Sequence, residues 1–141
     1  MLNMQSVSAD VFRKNTKSFS PNEVLTFTNV GNQQGVFVNR NRLGEIDALI
    51  TTRSGTYQID WIVQAISSAP VVIELNINRG AITRRYAESK DEIDQLIGYN
   101  NITVPAFSII RLVNRGKRTV TVTAPASVSG TILSLLKIHR L

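Results

Sequence analysis

The sequence predicts an all-β protein, a two-sheet antiparallel jelly-roll sandwich of about ten strands. In residues 55–63 a large apolar side chain occupies every second position, which places Tyr57, Ile59, Trp61 and Val63 on one face of a sheet. Short apolar segments recur at intervals of roughly 8–14 residues, separated by Gly, Pro and Asn turn signals. Only residues 88–95 have a helical composition, and we expect a loop or a single helical turn there.

The length of 141 residues is typical of one domain. Residues 1–20 are polar and weakly patterned, so we expect an N-terminal tail or a short strand there, with the jelly roll formed by residues 21–141. Within the jelly roll the pattern predicts strands over residues 23–29, 36–38, 46–52, 57–66, 71–78, 81–87, 102–104, 107–113, 119–123 and 131–139.

Two Asn-Arg-Gly triplets are predicted turns, because glycine adopts positive φ at little cost. The first, at residues 78–80, is expected to join strands 71–78 and 81–87 as a hairpin. The second, at residues 114–116, is expected to end the strand over residues 107–113.

Two late segments, residues 107–113 and 132–138, carry apolar side chains on both faces. One face packs in the core, and the other needs a cover, because large exposed apolar patches are uncommon on monomers. Either another subunit or the chain's own N-terminal segment provides that cover.

The composition excludes several classes of protein. Without cysteine the chain forms neither disulfides nor thiolate metal sites. No apolar run reaches the roughly 18 residues of a membrane-spanning helix. Residues 1–6 do not read as a signal peptide. We therefore expect a protein that stays where it is made, leaves without a standard signal, or has had its signal trimmed.

The formal net charge is +6, and many basic residues lie in predicted turns. Positive turns attract phosphate, anionic polysaccharide or acidic protein surfaces. The candidate contacts for such anionic ligands are Arg40, Arg42, Arg79, Arg115 and Arg118. Ordinary solubility is the alternative explanation. Nucleic acid is not expected as a partner, because no arginine block is interleaved with aromatic residues.

The sequence predicts no enzymatic activity and no cofactor. The single histidine, His139, lies near the C-terminus, and no Gly-x-Ser-x-Gly motif accompanies it. Asp60 and Glu74 fall in mid-strand on predicted outer faces, where a carboxylate pair could flank a groove. Trp61 and Tyr99 could stack on sugars, although core packing is favoured for Trp61.

The acidic residues of segment 88–94 have two interpretations. Four carboxylates close together could bind calcium, which prefers oxygen ligands: Glu88, Asp91, Glu92 and Asp94. The absence of an Asp-x-Asp-x-Asp-Gly loop favours a solvated acidic loop instead. The same carboxylates could also pair with Arg84 and Arg85.

Three motifs resemble the jelly rolls of the tumour necrosis factor and complement globular-head group. They are the Gly-x-Tyr-x-Ile strand beginning at Gly55, the strand-turn of residues 75–80, and the closing apolar strand of residues 133–138. In style they are most similar to the C-terminal domains of collagen-like spore-surface (exosporium) proteins of bacteria. The chain has no collagen-like stalk, which leaves a stand-alone head, a basal-layer unit and a virion component as alternatives.

The resemblance implies a homotrimer that is a structural module of a bacterial spore surface, assembled without a standard signal peptide. Its partners would be itself and other surface-layer proteins or anionic glycans. The alternative is a glycan- or anionic-polymer-binding head of a phage or virion. By family analogy the positions near the three-fold axis are Gln58, Asp60, Ile62, Ile97 and Leu136.

Overall fold

A computed structural model describes residues 6–125 and 131–141, and these residues form two antiparallel sheets around one core. Residues 1–5, the start of the predicted N-terminal segment, lie outside the described ranges. The strands are β1 Ser8–Arg13, β2 Lys17–Phe19, β3 Asn29–Gln34, β4 Val36–Arg40, β5 Ile46–Thr51, β6 Gly55–Ile66, β7 Val71–Ile77, β8 Gly80–Ala87, β9 Asp94–Val104, β10 Ile109–Asn114, β11 Val120–Val122 and β12 Ser134–Arg140. In these ranges no helix is long and apolar enough to cross a bilayer.

The seven-stranded sheet, here sheet 1, has the order β2-β11-β6-β12-β1-β3, and β9 pairs with β6 along its other edge. The five-stranded sheet, sheet 2, has the order β4-β5-β10-β7-β8. The prediction of an all-β, two-sheet antiparallel jelly roll is confirmed.

The alternating large side chains predicted for β6 form the centre of the core. Tyr57, Ile59, Trp61 and Val63 have no exposed surface, and the residues between them are half-buried. Sheet 2 faces them with fully buried aliphatic side chains, Ile73, Leu75, Ile110 and Leu112. Trp61 is therefore a core residue, as the alternation with Tyr57, Ile59 and Val63 predicted, and it is not available to stack on a sugar.

The N-terminal segment is part of sheet 1. β1 lies between β12 and β3, with Val11 opposite Leu136, and β2 pairs with β11. Because these strands lie in the plane of the sheet, they do not cross the outer face of β12. The cover predicted for that face is therefore not supplied by residues 8–13 or 17–19.

The structure differs from the predicted strands in three places. Residues 30–34 belong to β3, although no strand was predicted there. Residues 23–28 make only isolated bridges, because this segment crosses from sheet 2 to sheet 1. Phe27 pairs with Ile46 of sheet 2, and the backbone N–H of Thr28 donates to Phe12 O of sheet 1. β9 is much longer than the predicted strand 102–104. Its glycine and asparagines have low strand propensity, but continuous pairing with β6 overrides that preference.

The two Asn-Arg-Gly triplets have different structures. At the first, Asn78 and Arg79 have φ values of 53° and 68°, the left-handed geometry of a type I′ hairpin turn, which confirms the predicted hairpin of β7 and β8. At the second, Asn114 is fully buried and the chain passes from sheet 2 to sheet 1. The Asn114 side chain bonds Phe19 O, Arg118 O and Gly116 N at 3.1, 3.1 and 2.9 Å.

Candidate functional sites: an apolar sheet face and an arginine pocket

Four apolar side chains lie side by side across the outer face of sheet 1. In the strand register Phe12 is opposite Leu135, Leu135 is opposite Ile62, and Ile62 is opposite Ile97. Phe12, Leu135 and Ile62 are half-buried, and Ile97 is 59% exposed. With strands about 4.8 Å apart, this apolar row is roughly 14 Å long. It is a continuous hydrophobic stripe across four strands.

Polar side chains flank the apolar row. The next register level contains Asp10, Lys137, Asp60 and Tyr99 in adjacent strands, and the level beyond contains Ser8, His139, Gln58 and Asn101. Gln58 Nε2 donates to Asp60 Oδ2 at 3.1 Å, and Tyr99 is 54% exposed. The face therefore combines an apolar row with a charged margin along one side of it, and apolar and polar areas occur together in this way at many protein interfaces.

Four of the five predicted interface residues meet on this face: Gln58, Asp60, Ile62 and Ile97. Leu136 is wrong as a surface residue, because it pairs with Trp61 on the inner side of the sheet and has no exposed surface. The strand period of two places Leu135 outward instead. Leu135 and Phe12 also lie on this face, and the sequence analysis did not select them. Their place on the face follows from the strand register, in which Leu135 lies opposite Ile62 and Phe12 lies opposite Leu135. The sequence alone does not show which residues are paired.

The five predicted anion contacts separate into different places. Arg40 and Arg42 lie at the β4–β5 turn, where Arg40 Nη1 donates to Gly44 O at 2.8 Å. Arg118 is exposed in the connection from β10 to β11. Arg79 and Arg115, in contrast, turn over the outer face of sheet 2 from opposite ends and line one pocket.

That arginine pocket has a volume of about 160 Å³. Arg111, from the middle of β10, also lines it, together with Asn22 and Asn76. Arg111 was not predicted. Its position between the core residues Ile110 and Leu112 is the signal that could have identified it, since alternation directs it outward.

A buried carboxylate lies beside the pocket. Glu74 is 1% exposed and accepts hydrogen bonds from Arg84 Nε at 2.9 Å, Arg115 Nε at 3.1 Å and Asn76 Nδ2 at 3.0 Å. Burial acts to raise the pKa of Glu74, but the bonds from Asn76, Arg84 and Arg115 outweigh it and hold the pKa below its usual value. Glu74 is thus an ionised anchor for two guanidinium groups.

Glu74 and Asp60 do not flank one groove. Glu74 lies on the outer face of sheet 2 and Asp60 on the outer face of sheet 1, on opposite sides of the sandwich. The pairing suggested for glycoside hydrolysis is therefore wrong.

The acidic segment 88–94 does not gather its carboxylates. Asp94 Oδ2 accepts from Ser89 N at 2.9 Å, and Glu88 pairs with Lys90 at 3.6 Å. Within the described ranges no three potential metal-ligating acidic or histidine side chains come together. Arg84 bonds Glu74, and Arg85 Nε donates to Ile97 O at 3.2 Å, so neither arginine pairs with this segment in the protomer.

No protein-family model and no curated protein sequence matches this chain. Among solved structures, the chain is similar to the Eiger TNF of S. frugiperda, with a TM-score of 0.74, 11% identity, and coverage of 96% of this chain and 92% of that one. It is also similar to murine APRIL at pH 5.0, with a TM-score of 0.66, 10% identity, and coverage of 97% and 100%. At these identities the likeness shows the fold alone: the chain is a jelly roll of the tumour necrosis factor type.

Proposed function

We propose that this protein is a non-enzymatic structural module that assembles as a homotrimer through the outer face of sheet 1. The observation that supports this proposal is the apolar row, four aligned apolar side chains that extend to the exposed Ile97. Tyr99 lies beside Ile97 on the same face and is also exposed.

Burial of this face provides the driving force. Fully burying an isoleucine side chain contributes about 1.5–3 kcal/mol, and Ile97 retains more than half of that surface in the protomer. The flanking Asp10, Lys137 and Asp60 supply charges of both signs at the margin. Such a margin favours one orientation of the partner over others. We place the partner copies around a three-fold axis because the sequence motifs resemble trimeric jelly rolls.

Sedimentation equilibrium tests the assembly. We expect a mass of about 47 kDa, three times the 15.6 kDa of one chain. Ile97→Lys should shift the protein to monomer, because it introduces a charge into the apolar row at a position exposed enough to leave the fold intact. The matched control is Leu43→Lys, which changes a side chain that is 78% exposed in the β4–β5 turn. A wild-type protein that stays monomeric at high concentration, or an Ile97→Lys trimer, would contradict the proposal.

The biological setting we propose is the outer layer of a bacterial spore. Support comes from the Gly55-x-Tyr57 strand and the closing apolar strand, which resemble exosporium proteins. Genes for sporulation beside this gene would support that setting. Phage structural genes there would favour a virion protein instead.

A second function, the binding of an anionic polymer, is favoured by the arginine pocket. Three arginines from two turns and a strand converge there. Binding of a polyanion that weakens steeply as salt rises would support it, since screening acts on exposed charges. Assembly and binding are separate properties, and a trimer can possess both.

A further inference from the structure

We propose that the arginine pocket binds one oxyanion group, a carboxylate or sulfate, of an acidic saccharide, with Arg79 and Arg111 as its charged contacts. The inference deepens the second function, on which it rests, and does not depend on trimer formation.

The charge balance leaves two guanidinium groups uncompensated. Glu74 is already bonded to Arg84 and Arg115. Arg79 and Arg111 have no hydrogen bond or ion pair with any side chain in the described ranges, yet both line the pocket. Arg111 is half-buried in mid-strand, where an unpaired charge is costly and an oxyanion would supply its counter-charge.

Asn22 leaves amide donors available to a ligand. Asn22 Oδ1 accepts from Arg115 Nη1 at 2.9 Å, and the amide NH₂ of Asn22 has no hydrogen-bond partner among residues 6–125 and 131–141. Asn22 is held by its backbone N–H, which donates to Asn114 O at 2.7 Å. Amide and guanidinium donors around one space are the groups that recognise carboxylate and sulfate oxygens.

The pocket has room for such a group. Its volume of about 160 Å³ compares with about 10–15 Å³, the volume that a cavity needs in order to hold one water molecule. A carboxylate or sulfate fits with space for the first atoms of the residue that carries it. Arg79 has a left-handed backbone conformation, which glycine adopts more easily than arginine. The turn itself therefore does not require arginine at this position, and a role for the guanidinium group would explain it.

The neighbouring surface accommodates a ring. A second, mainly apolar pocket of about 260 Å³ shares Arg115 with the first and is lined by Pro70, Val72, Tyr86 and Lys117. Tyr86 is 70% exposed and stands opposite Val72 in the register. An exposed aromatic face packs against the C–H face of a sugar. A single aromatic suits a saccharide better than a nucleic acid, for which a series of stacking residues is usual.

The two pockets lie along β7. Val72, which lines the second pocket, and Asn76, which lines the first, are four residues and so about 13 Å apart along that strand. A short saccharide chain spans this distance, whereas a free inorganic anion occupies only the first pocket. An experiment can therefore distinguish an oxyanion carried by a saccharide from a free inorganic anion.

Calorimetric titration of the full chain tests the proposal with three probes: a sulfated, uronate-containing hexasaccharide, the neutral maltohexaose and inorganic sulfate. We expect the acidic hexasaccharide to bind, maltohexaose not to bind, and sulfate to bind more weakly. Arg111→Gln should weaken hexasaccharide binding about tenfold or more, the effect of losing one charge-assisted contact. The matched control, Arg40→Gln, should change it less than about twofold because Arg40 lies at the β4–β5 turn.

Two further variants make the test decisive. Arg79→Gly removes the guanidinium and suits the backbone, so it should weaken binding and remain folded even if Arg111→Gln does not fold. Tyr86→Ala should weaken binding of the hexasaccharide and leave binding of sulfate unchanged.

Three outcomes would overturn the proposal. In the first outcome, Arg79→Gly and Arg111→Gln bind the hexasaccharide as the wild type does, while a variant with Arg40, Arg42 and Arg118 all changed to Gln does not bind it. The protein would then bind anions at a site other than the arginine pocket. If inorganic sulfate binds as tightly as the hexasaccharide, the pocket is not a saccharide site. If no acidic probe binds, the second function also fails.

Discussion

The indole ring of Trp61 packs directly against the backbone of Gly98, its register partner on β9. A methyl group at position 98 would lie 1.9 Å from Trp61 Nε1 and 2.1 Å from Cε2. Trp61 is fully buried, and its indole N–H has no hydrogen-bond partner in the described ranges. The largest core side chain therefore depends on a position without a side chain.

Gly98→Ala should destabilise the protein, because the ring, the strand or both must move to admit the methyl group. Overpacking of this kind costs about 1–3 kcal/mol, and backbone contact places this case at the upper end. Urea denaturation measures the loss. The control is Gly80→Ala, whose added methyl would meet only Ile77 O at 3.4 Å. Equal stabilities for the two variants would argue against the tight packing described.

Arg13 occupies a core-facing position of β1 and is 1% exposed. Its Nη2 lies 3.0 Å from Glu45 Oε2, and its Nε donates to Thr26 O at 3.0 Å. Arg13→Ala should cost about 3–5 kcal/mol, because it removes a buried guanidinium together with its ion pair to Glu45 and its hydrogen bonds to Thr26. Thermal and urea unfolding measure this loss. Lys14→Ala, at the exposed neighbouring position, should change stability by less than about 0.5 kcal/mol.

Acid should unfold the protein partly through Glu45. Burial acts to raise the pKa of Glu45, but bonds from Lys17, Thr26 and Arg13 outweigh it and lower the pKa from 4.5 to about 2. A lowered folded-state pKa means that this stabilisation is present above pH 4.5 and is lost as the pH falls to about 2. The amount is on the order of 3 kcal/mol.

The check is urea denaturation of the wild type and Glu45→Gln across this range. The variant should be less stable at pH 7, and the difference should shrink toward pH 2. Glu88→Gln, at an 83% exposed side chain, should follow the wild type. A constant difference between wild type and Glu45→Gln at all pH values would contradict the assignment.

Asn114→Ala should destabilise the connection between the sheets. The Asn114 side chain satisfies three backbone groups, Phe19 O, Arg118 O and Gly116 N. Leaving buried groups unpaired costs about 1–3 kcal/mol for each. Hydrogen exchange should show faster exchange at β2 and β11. Asn101→Ala, an exposed position on β9, should have little effect, and similar exchange in both variants would refute the role of Asn114.

The sequence predicts the architecture well because alternation in β6 and the Asn-Arg-Gly triplet at the first hairpin are local signals, although the positive φ values fall on Asn78 and Arg79 and not on Gly80. The same alternation places Gln58, Asp60 and Ile62 on the outer side of β6, whereas their selection as interface positions, with Ile97, came from the family resemblance. Leu136 was misassigned because the run Leu133, Leu135 and Leu136 has no alternation to fix which side faces outward.

The remaining features depend on contacts between distant parts of the chain. Arg13 has the chemistry of a surface residue, and only its approach to Glu45 makes a buried position possible. Arg79 and Arg115 lie at opposite ends of sheet 2 and meet because their long side chains turn over the same strand. Neither relationship leaves a periodic signal in the sequence.

The insertion of β12 between β1 and β6 has a consequence for synthesis of the protein. Sheet 1 cannot close until residues 134–140 have emerged from the ribosome, so the edge of β1 that pairs with β12 stays unpaired while residues 14–133 are translated. Exposed edges invite pairing with other chains. Chaperone demand and misfolding during translation should therefore concentrate on the earliest strand.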